Sequence, residues 1–343
     1  MPRLASALAI VLTFALATSM RAQGALIVLN KSDAQASIVD LSNARIVATL
    51  PVGDGPHEVA VSSDGRTAVV GNYGGKTPGS SLTVLDLAKR SVVRTIDLGQ
   101  YRRPHGMVWL PDGKRVAVTV EMNRAVLLVD VARGVVERAV PTDAELTHMV
   151  VVSRDGSHAF TANIGGGSVS RLDLSGKTPA LVRVTGKGPE AIDLSPDGKE
   201  VWAADRTLDR ITIMGSDKLD SLGSAPTLRF PNRLKFTPDG KRVLVSNATA
   251  GAITVYDAAR RTLIETIHIP FDASKKKAEA VLGDMGDSAV PLGIVMDPAG
   301  KRAWVATAAL GEIVELDLET LKITRTIAAG SNPDGMAYLS RLP

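Results

Sequence analysis

Cysteine is absent from the 343-residue sequence, so the chain has neither disulfide bonds nor thiol chemistry. Its stability must therefore come from its core and its topology. Aromatic residues make up only 3% of the chain, which leaves few surfaces on which nucleobases could stack. Neither sign of charge dominates, because 40 basic and 36 acidic residues give a net charge of +4, and the one dense basic run is 275–277. A specific nucleic-acid partner is therefore not expected.

The long hydrophobic run of the sequence stands at its start. Arg3 gives a positive beginning, a largely apolar run covers residues 4–17, and small residues follow, with cleavage points at Ala17 and Ala22. This order is typical of a secretory signal peptide, and the run is shorter than the roughly 20 apolar residues that span a bilayer. The sequence therefore predicts a signal peptide over residues 1–22, no membrane span after its removal, and a periplasmic or secreted protein. An N-terminal anchor that stays in place is the alternative.

One kind of turn recurs along the rest of the chain. Five Asp-Gly turns follow apolar strands, and their Asp residues, separated by 48, 43, 42 and 42 positions, are Asp64, Asp112, Asp155, Asp197 and Asp239. Asp and Gly tolerate the positive φ that a tight hairpin turn demands. A second strand follows each turn, then a third that ends in Asp in all copies but one, then a more polar fourth. Four short strands per repeat describe one blade of a β-propeller.

The two ends of the chain share one repeat. From Ala25 the chain has a second, third and fourth strand without a first, and residues 332–338 form a first strand with nothing after it. Pairing them completes a seventh blade and leaves no open sheet edge at the ring closure. The sequence therefore predicts an all-β fold, a seven-bladed β-propeller of four-stranded antiparallel blades over residues 23–343. An insertion, residues 271–290, precedes the first strand of the sixth blade.

The repeat also indicates a family. The unit Ser195-Pro196-Asp197-Gly198-Lys199, continuing into an apolar strand, resembles the YVTN repeat. Along its mature length the chain is similar to YVTN-repeat, YncE-like propellers, a group that includes the β-chains of quinoprotein amine dehydrogenases and bacterial lactonases. The resemblance implies the seven-bladed architecture. It implies no particular activity, because propellers carry many unrelated functions.

The first strand of every blade starts in one register, just after a Pro in six of the seven copies. First strands line the central channel of a propeller, so the residues in this register are expected to form a ring at one mouth. In chain order the ring residues are His57, His105, His148, Glu190, Asn232, Leu292 and Asp334. Three of the five histidines of the chain thus fall on consecutive blades of one ring.

Three imidazoles beside a carboxylate are a ligand set for a transition metal. Neutral histidine suits Zn or Cu, whereas Ca²⁺ prefers oxygen ligands. Packed sheets lie about 10 Å apart, so side chains of neighbouring blades can converge on one ion. We therefore predict a metal or anionic-ligand site, with Zn or Cu as the ion, formed by His57, His105, His148 and Glu190. The alternative is that this register caps the Pro turn and its side chains point to water.

Further candidates for ligand binding lie beside the metal set. Asn232 and Asp334 face it across the ring, and Arg233 follows Asn232. The loops between second and third strands open on the same face, and most begin with Asn or Asp, which are typical turn formers. Asn72 opens the loop that residues 73–80 lengthen, and Glu121 replaces Asn or Asp on the blade of His105. These five residues are the predicted small-ligand set.

The favoured function is a binding module that holds a metal ion, a small ligand or a protein partner at the mouth. The sequence contains neither a Gly-x-Ser-x-Gly nor a His-Glu-x-x-His motif. One alternative is a metal-dependent hydrolase, such as a lactonase, or a lyase, with Glu58, Glu121 or Glu190 as the base. Lactonase-type propellers usually build their metal site from acidic and amide ligands, and three histidines depart from that pattern. The second alternative is a partner-docking propeller without a metal; we expect a monomer throughout.

Overall fold

A computed structural model describes residues 24–276, 285 and 287–342, so the predicted signal peptide and the middle of the insertion lie outside the described residues. The described residues form 28 strands in seven antiparallel sheets of four. Among them, no helix is long and apolar enough to cross a membrane. The predicted seven-bladed propeller is confirmed.

The strands follow one another in chain order, and we number the blades from the first complete one. Blade 7 begins with β1 (Ala25–Asn30), β2 (Gln35–Asp40) and β3 (Arg45–Pro51). Blade 1 contains β4 (Pro56–Val61), β5 (Thr67–Asn72), β6 (Ser81–Asp86) and β7 (Ser91–Asp97). Blade 2 contains β8 (Pro104–Trp109), β9 (Arg115–Val120), β10 (Ala125–Asp130) and β11 (Val135–Pro141). Blade 3 contains β12 (Thr147–Val152), β13 (His158–Asn163), β14 (Ser168–Asp173) and β15 (Leu181–Val184).

The remaining blades repeat this pattern. Blade 4 contains β16 (Pro189–Leu194), β17 (Glu200–Asp205), β18 (Arg210–Gly215) and β19 (Ser221–Pro226). Blade 5 contains β20 (Pro231–Phe236), β21 (Arg242–Asn247), β22 (Ala252–Asp257) and β23 (Thr262–His268). Blade 6 contains β24 (Pro291–Met296), β25 (Arg302–Thr307), β26 (Glu312–Asp317) and β27 (Lys322–Ala328), and β28 (Pro333–Leu339) follows. Two 3₁₀ turns, Glu121–Asn123 and Ala273–Lys275, interrupt the described strands.

The ring closes where the sequence predicts. β28 pairs antiparallel with β1, with Ala25 opposite Leu339 and Val28 opposite Met336, so both chain ends lie in blade 7. First strands of neighbouring blades contact each other all the way round, including β28 against β4. Because the ring is closed, every first strand packs between two others. The ring therefore has no open end at which a blade would be exposed.

The core lies between the blades. Second strands such as β9 and β21 are buried from their second residue to their last, because both faces of each sheet pack against neighbouring sheets. Fourth strands such as β7 and β23 are mostly exposed and form the outer surface. Fully burying one apolar side chain stabilises the fold by about 1.5–3 kcal/mol. The seven interfaces therefore stabilise a chain that has no disulfide bonds.

A β-bulge at the start of each first strand positions the ring. In β4, Pro56 pairs with Asn72 and Val59 with Val70, so two residues of β4 oppose one of β5, and the other six first strands shift register at the same place. A bulge leaves its extra residue unpaired and redirects that side chain. Each ring residue lies in such a bulge, which explains why one register of the repeat faces the channel mouth.

Glycines after some ring residues keep the ring narrow. A Cβ on Gly335 would lie 2.1 Å from the carbonyl oxygen of His57, and one on Gly293 would lie 2.2 Å from that of Asp334. Neither distance is compatible with a side chain, so only glycine lets these first strands approach so closely. The ring residues of adjacent blades consequently come within contact of each other.

Candidate functional site

The channel mouth is a cavity of about 410 Å³, and all seven ring residues line it. His105, His148, Glu190, Asn232 and Asp334 are buried within the ring, and His57 is half-buried. The side chains of this register therefore do not simply point to water. They form the wall of one enclosed polar site.

Arg233 forms the floor of this cavity. Its guanidinium reaches across the channel from blade 5 to Glu58 of blade 1, with Nη2 2.5 Å from Oε1. It also lies 3.8 Å from a carboxylate oxygen of Asp334 and 3.9 Å from one of Glu190. Although burial opposes it, the charge of Glu58 and then those of the other two carboxylates raise the pKa of Arg233. The same side chain borders a second cavity of about 540 Å³ further along the channel, so it divides the channel in two.

The three ring histidines lie in a row, with each ring tilted against the next. The ring centroids of His148 and His105 are 3.7 Å apart, and those of His105 and His57 are 4.9 Å apart. Burial, followed by the charge of His148, holds the pKa of His105 well below its ordinary value. Burial, followed by the charge of Lys31, lowers the pKa of His57 to about 3. Both side chains are therefore neutral imidazoles at pH 7, the form that binds metals.

His148 differs from the other two because carboxylates flank it on both sides. Its Nδ1 lies 2.5 Å from Oε1 of Glu121, and its Nε2 lies 3.6 Å from Oε1 of Glu190. Burial opposes a charge here, but the interactions with Glu121 and Glu190 prevail and raise the pKa of His148. The other carboxylate oxygen of Glu121, Oε2, accepts a hydrogen bond of 2.5 Å from the hydroxyl of Tyr73. The burial of Tyr73 and the charge of Glu121 raise the pKa of that phenol, which keeps it a donor.

Glu190 and Asp334 are paired with cations. Glu190 accepts from Arg206 at 2.6 Å and from the side-chain amide of Asn232. Lys31 lies 3.2 Å from Oδ2 of Asp334, and both side chains are buried. Burial opposes ionisation of each carboxyl group. The pKa of Glu190 is nevertheless lowered, by His148 and then by Arg206. The pKa of Asp334 is lowered, chiefly by the charge of Lys31.

His105, Glu121 and His148 form a buried group that can hold a metal ion, with one donor atom from each lying within 4.8 Å of the others. Nδ1 of His105 and Nε2 of His148 have no hydrogen-bond partner although both atoms are buried. Two imidazoles and a carboxylate suit a transition metal. The donor chemistry and the unsatisfied nitrogens therefore both fit an ion at this place.

The predicted residues divide into three groups. His105 and His148, from the predicted metal set, come together with Glu121, which the sequence placed in the small-ligand set. His57 and Glu190 lie beside this triad, with Nδ1 of His57 donating to the carbonyl of Gly55. Asn232, Arg233 and Asp334 line the cavity around it. Asn72 does not line it, because its amide bonds Gly53, Ser81 and Thr83 within the fold.

Four polar or charged residues of the cavity were missed in the sequence, although the repeat contains a signal for them. Lys31, Tyr73 and Arg206 each follow the residue that opens a second-to-third-strand loop. Arg103 directly precedes the Pro that starts β8, in a left-handed conformation with φ of 57°. Aligning these two registers as the ring register is aligned would have brought out all four.

Comparison with known families agrees with the architecture. Residues 6–115 match the YNCE-like beta-propeller family, and residues 176–266 match the family described as lactonase, 7-bladed beta-propeller. Two separate stretches of the chain are thus similar to YncE-like and lactonase-type seven-bladed propellers, the resemblance that the YVTN-like repeat predicts.

The individual relatives share between 15% and 27% sequence identity with this chain. The hydrazine synthase subunit beta of Kuenenia stuttgartiensis is 27% identical over 199 residues, which are 55% of this chain but only 44% of that relative. The periplasmic gluconolactonase of Pseudomonas aeruginosa superposes with a TM-score of 0.72 at 16% identity, covering 94% of this chain and all of that one. A functionally unknown protein of Desulfotomaculum acetoxidans gives 0.72 at 15% identity, covering 92% of this chain and 99% of that one. At such identities the two structures establish the fold alone.

Proposed function

We propose that this propeller binds a transition-metal ion, Zn²⁺ or Cu²⁺, at its channel mouth through His105, Glu121 and His148. The observation that supports it most strongly is the convergence of their donor atoms within 4.8 Å in a buried position. A buried polar atom without a partner costs about 1–3 kcal/mol. The two unsatisfied ring nitrogens would recover that cost by binding an ion.

The surroundings of the triad favour a defined metal geometry. Tyr73 fixes Glu121 through its hydroxyl, and the close contact of the His105 and His148 rings restrains both of them. Residues that orient ligands in this way change metal affinity by roughly 10–100-fold when they are altered. Glu190, 3.6 Å from Nε2 of His148, is placed to assist the same ion.

We also propose that the protein acts in the periplasm or outside the cell. The amino-terminal segment has the order of a signal peptide. The gluconolactonase that shares the fold is periplasmic. Detection of mature protein beginning after residue 22 in a periplasmic or culture-medium fraction would test this, and retention of residues 1–22 in a membrane fraction would contradict it.

Metal analysis of the purified protein tests the main proposal. We expect one equivalent of Zn²⁺ or Cu²⁺ after reconstitution and removal of excess ion. We also expect a rise in unfolding temperature, since a ligand at 100 times its Kd stabilises by about 2.7 kcal/mol. His105→Ala and Glu121→Gln should lose both effects. His268→Ala is the matched control, because His268 is an exposed histidine on β23 and should behave as wild type.

The proposal fails if the wild type retains no stoichiometric ion, or if His105→Ala binds the ion as well as His268→Ala does. Measuring the far-ultraviolet circular dichroism of each variant separates loss of binding from loss of folding. If the triad binds the metal, the His105 and Glu121 variants should be folded but should not retain the ion.

A second candidate is metal-dependent hydrolysis of a lactone at the same mouth. The partial match to the lactonase propeller family and the fold of the periplasmic gluconolactonase favour it. Glu190 would then serve as the base near the ion, because its buried carboxylate lies 3.6 Å from Nε2 of His148 at the same mouth. Hydrolysis of gluconolactone by metal-loaded wild type, lost in Glu190→Gln with the ion still bound, would support this candidate; equal rates for the two proteins would exclude it.

A further inference from the structure

Among the described residues, three of the four Lys and Arg side chains that line the channel mouth are paired with carboxylates. Lys31 pairs with Asp334, Arg206 with Glu190, and Arg233 with Glu58. Arg103 lines the same cavity, yet it forms no ion pair with any carboxylate in the described part of the chain. It therefore presents a guanidinium without a carboxylate partner to the cavity.

Contacts with uncharged groups hold Arg103 in place. Its guanidinium carbon lies 4.6 Å from the ring centroid of Tyr73, and one of its nitrogens donates to the carbonyl of Gly75 at 3.2 Å. A guanidinium carries five N–H donors in a planar fork that matches a carboxylate or phosphate. Stacking on an aromatic ring orients that fork without neutralising it. Arg103 is thus a preorganised anion-binding group.

The opposite wall of the cavity includes an apolar patch, which lies beside Asn232 and has the Arg206 guanidinium over the Phe230 ring. Phe230, Met285 and Leu292 line it, and Phe230 and Met285 pack against the buried cluster that contains Leu292. Phe230 and Leu292 belong to blades 5 and 6, and first-strand contacts place these blades three to four steps round the ring from blade 2. In a ring of seven that is the far side from Arg103. The cavity therefore offers a cation on one side and an apolar surface on the other.

We propose that the mouth binds a small organic anion, with its carboxylate or phosphate group on Arg103 and a compact apolar body against Phe230 and Leu292. The volume of about 410 Å³ lies within the range of roughly 300–1,000 Å³ that small-molecule sites occupy. This goes beyond the proposed metal site, because the cation and the apolar wall are present whether or not an ion is bound.

Isothermal titration calorimetry with matched probes tests the proposal. Benzoate, phenyl phosphate and neutral benzamide share a ring and differ in the head group. Each is titrated into the full mature chain, once after treatment with a chelator and once after loading with Zn²⁺. The variants are Arg103→Met, which removes the charge and keeps a long side chain, and Arg103→Lys, which keeps the charge and loses the fork. Arg102→Met is the control, since Arg102 lies on the same loop but donates to the carbonyl of Gly99 outside the cavity lining.

We expect the chelated wild type to bind benzoate or phenyl phosphate with a Kd at least about tenfold below that of benzamide. The tighter of the two anions identifies the head group. Arg103→Met should lose about tenfold or more of the anion affinity, Arg103→Lys should retain part of it, and Arg102→Met should match wild type.

Three results would overturn the proposal: equal affinity for benzoate, phenyl phosphate and benzamide; unchanged anion affinity in folded Arg103→Met and Arg103→Lys; or no binding of either anion up to about 10 mM. Binding by the chelated protein separates this inference from the metal site. Anion affinity can persist when no ion binds, and the ion can bind when Arg103 is replaced.

Discussion

Two buried charged clusters of this propeller lead to opposite conclusions. In blade 6, Glu315 is only 1% exposed, and both its oxygens are fully used. Oε1 accepts from Arg302 at 2.5 Å and from Thr324 at 3.1 Å. Oε2 accepts from Arg325 at 2.7 Å and from the indole of Trp304 at 2.9 Å. Both oxygens of this carboxylate have hydrogen-bond partners, so we call this cluster complete.

The cluster at the channel mouth is equally buried but incomplete. Nδ1 of His105, Nε2 of His148 and Oδ1 of Asp334 are buried without a hydrogen-bond partner, and Arg103 has no ion pair among the described residues. Native proteins satisfy nearly all buried polar atoms, so a concentration of unsatisfied ones in one cavity requires an explanation. Burial of charge alone therefore does not identify a site in this fold; the unsatisfied histidine nitrogens and carboxylate oxygen distinguish the channel mouth from the blade 6 cluster.

The largest expected effect comes from the floor of the mouth. Arg233→Met removes the cation that faces Glu58, Asp334 and Glu190, and leaves three carboxylates buried without it. Removing one partner of a buried pair costs about 3–5 kcal/mol, so urea denaturation should show a loss of that size at pH 7. A loss below about 1 kcal/mol, the range of exposed pairs, would mean that the channel is far wetter than the contacts indicate.

A substitution in the Glu315 cluster of blade 6 should cause a smaller loss of stability and should leave binding at the channel mouth unchanged. Glu315→Gln directs an amide at the arginines and the indole, and we expect about 1–3 kcal/mol of destabilisation, the usual cost of unsatisfied buried donors. Arg302 and Arg325 are about a quarter exposed and can rehydrate in part. Metal and anion affinities measured as above should equal those of wild type. A change in either would remove the distinction between the two clusters.

The stability difference between wild type and Glu315→Gln should depend on pH. Burial opposes ionisation, but Arg325 and the other partners prevail and lower the pKa of Glu315 from its usual 4.5. A carboxylate with a lower pKa in the folded state stabilises above its unfolded pKa and loses that contribution as the pH falls through its folded pKa. Urea curves recorded from pH 7 down to about pH 3 should therefore converge for the two proteins. Parallel curves would show that the charge of Glu315 contributes nothing.

How well each feature of the fold and the site could be predicted depends on how far apart in the sequence its residues lie. The seven ring residues could be placed because a Pro and a bulge recur at one register, which is a local property of each repeat. The hydrogen bonds that join Tyr73, Glu121 and His148 could not be predicted in this way. They connect three blades and depend on side-chain rotamers that no repeat encodes. The pair of Glu58 and Arg233 spans 175 positions.

Asn72 shows the converse difficulty. Its residue type suits ligand binding, but the same amide also suits the interior of its own blade. There Gly53, Ser81 and Thr83 use it completely. A sequence pattern identifies which side chains reach a surface more readily than it identifies which of their atoms remain unpaired.

The smallest effect on stability is expected where the effect on binding is greatest. His105→Leu replaces a neutral imidazole, one of whose nitrogens is buried without a partner, by an apolar side chain between two other rings. Replacing buried polar groups by apolar ones is often neutral or stabilising, so the free energy of unfolding of the metal-free protein should change by less than about 1 kcal/mol. The stabilisation by added Zn²⁺ or Cu²⁺ should vanish at the same time. A large loss of stability without metal would instead mean that His105 holds the ring together, as Glu315 holds blade 6, and the contrast between a complete and an incomplete cluster would no longer apply.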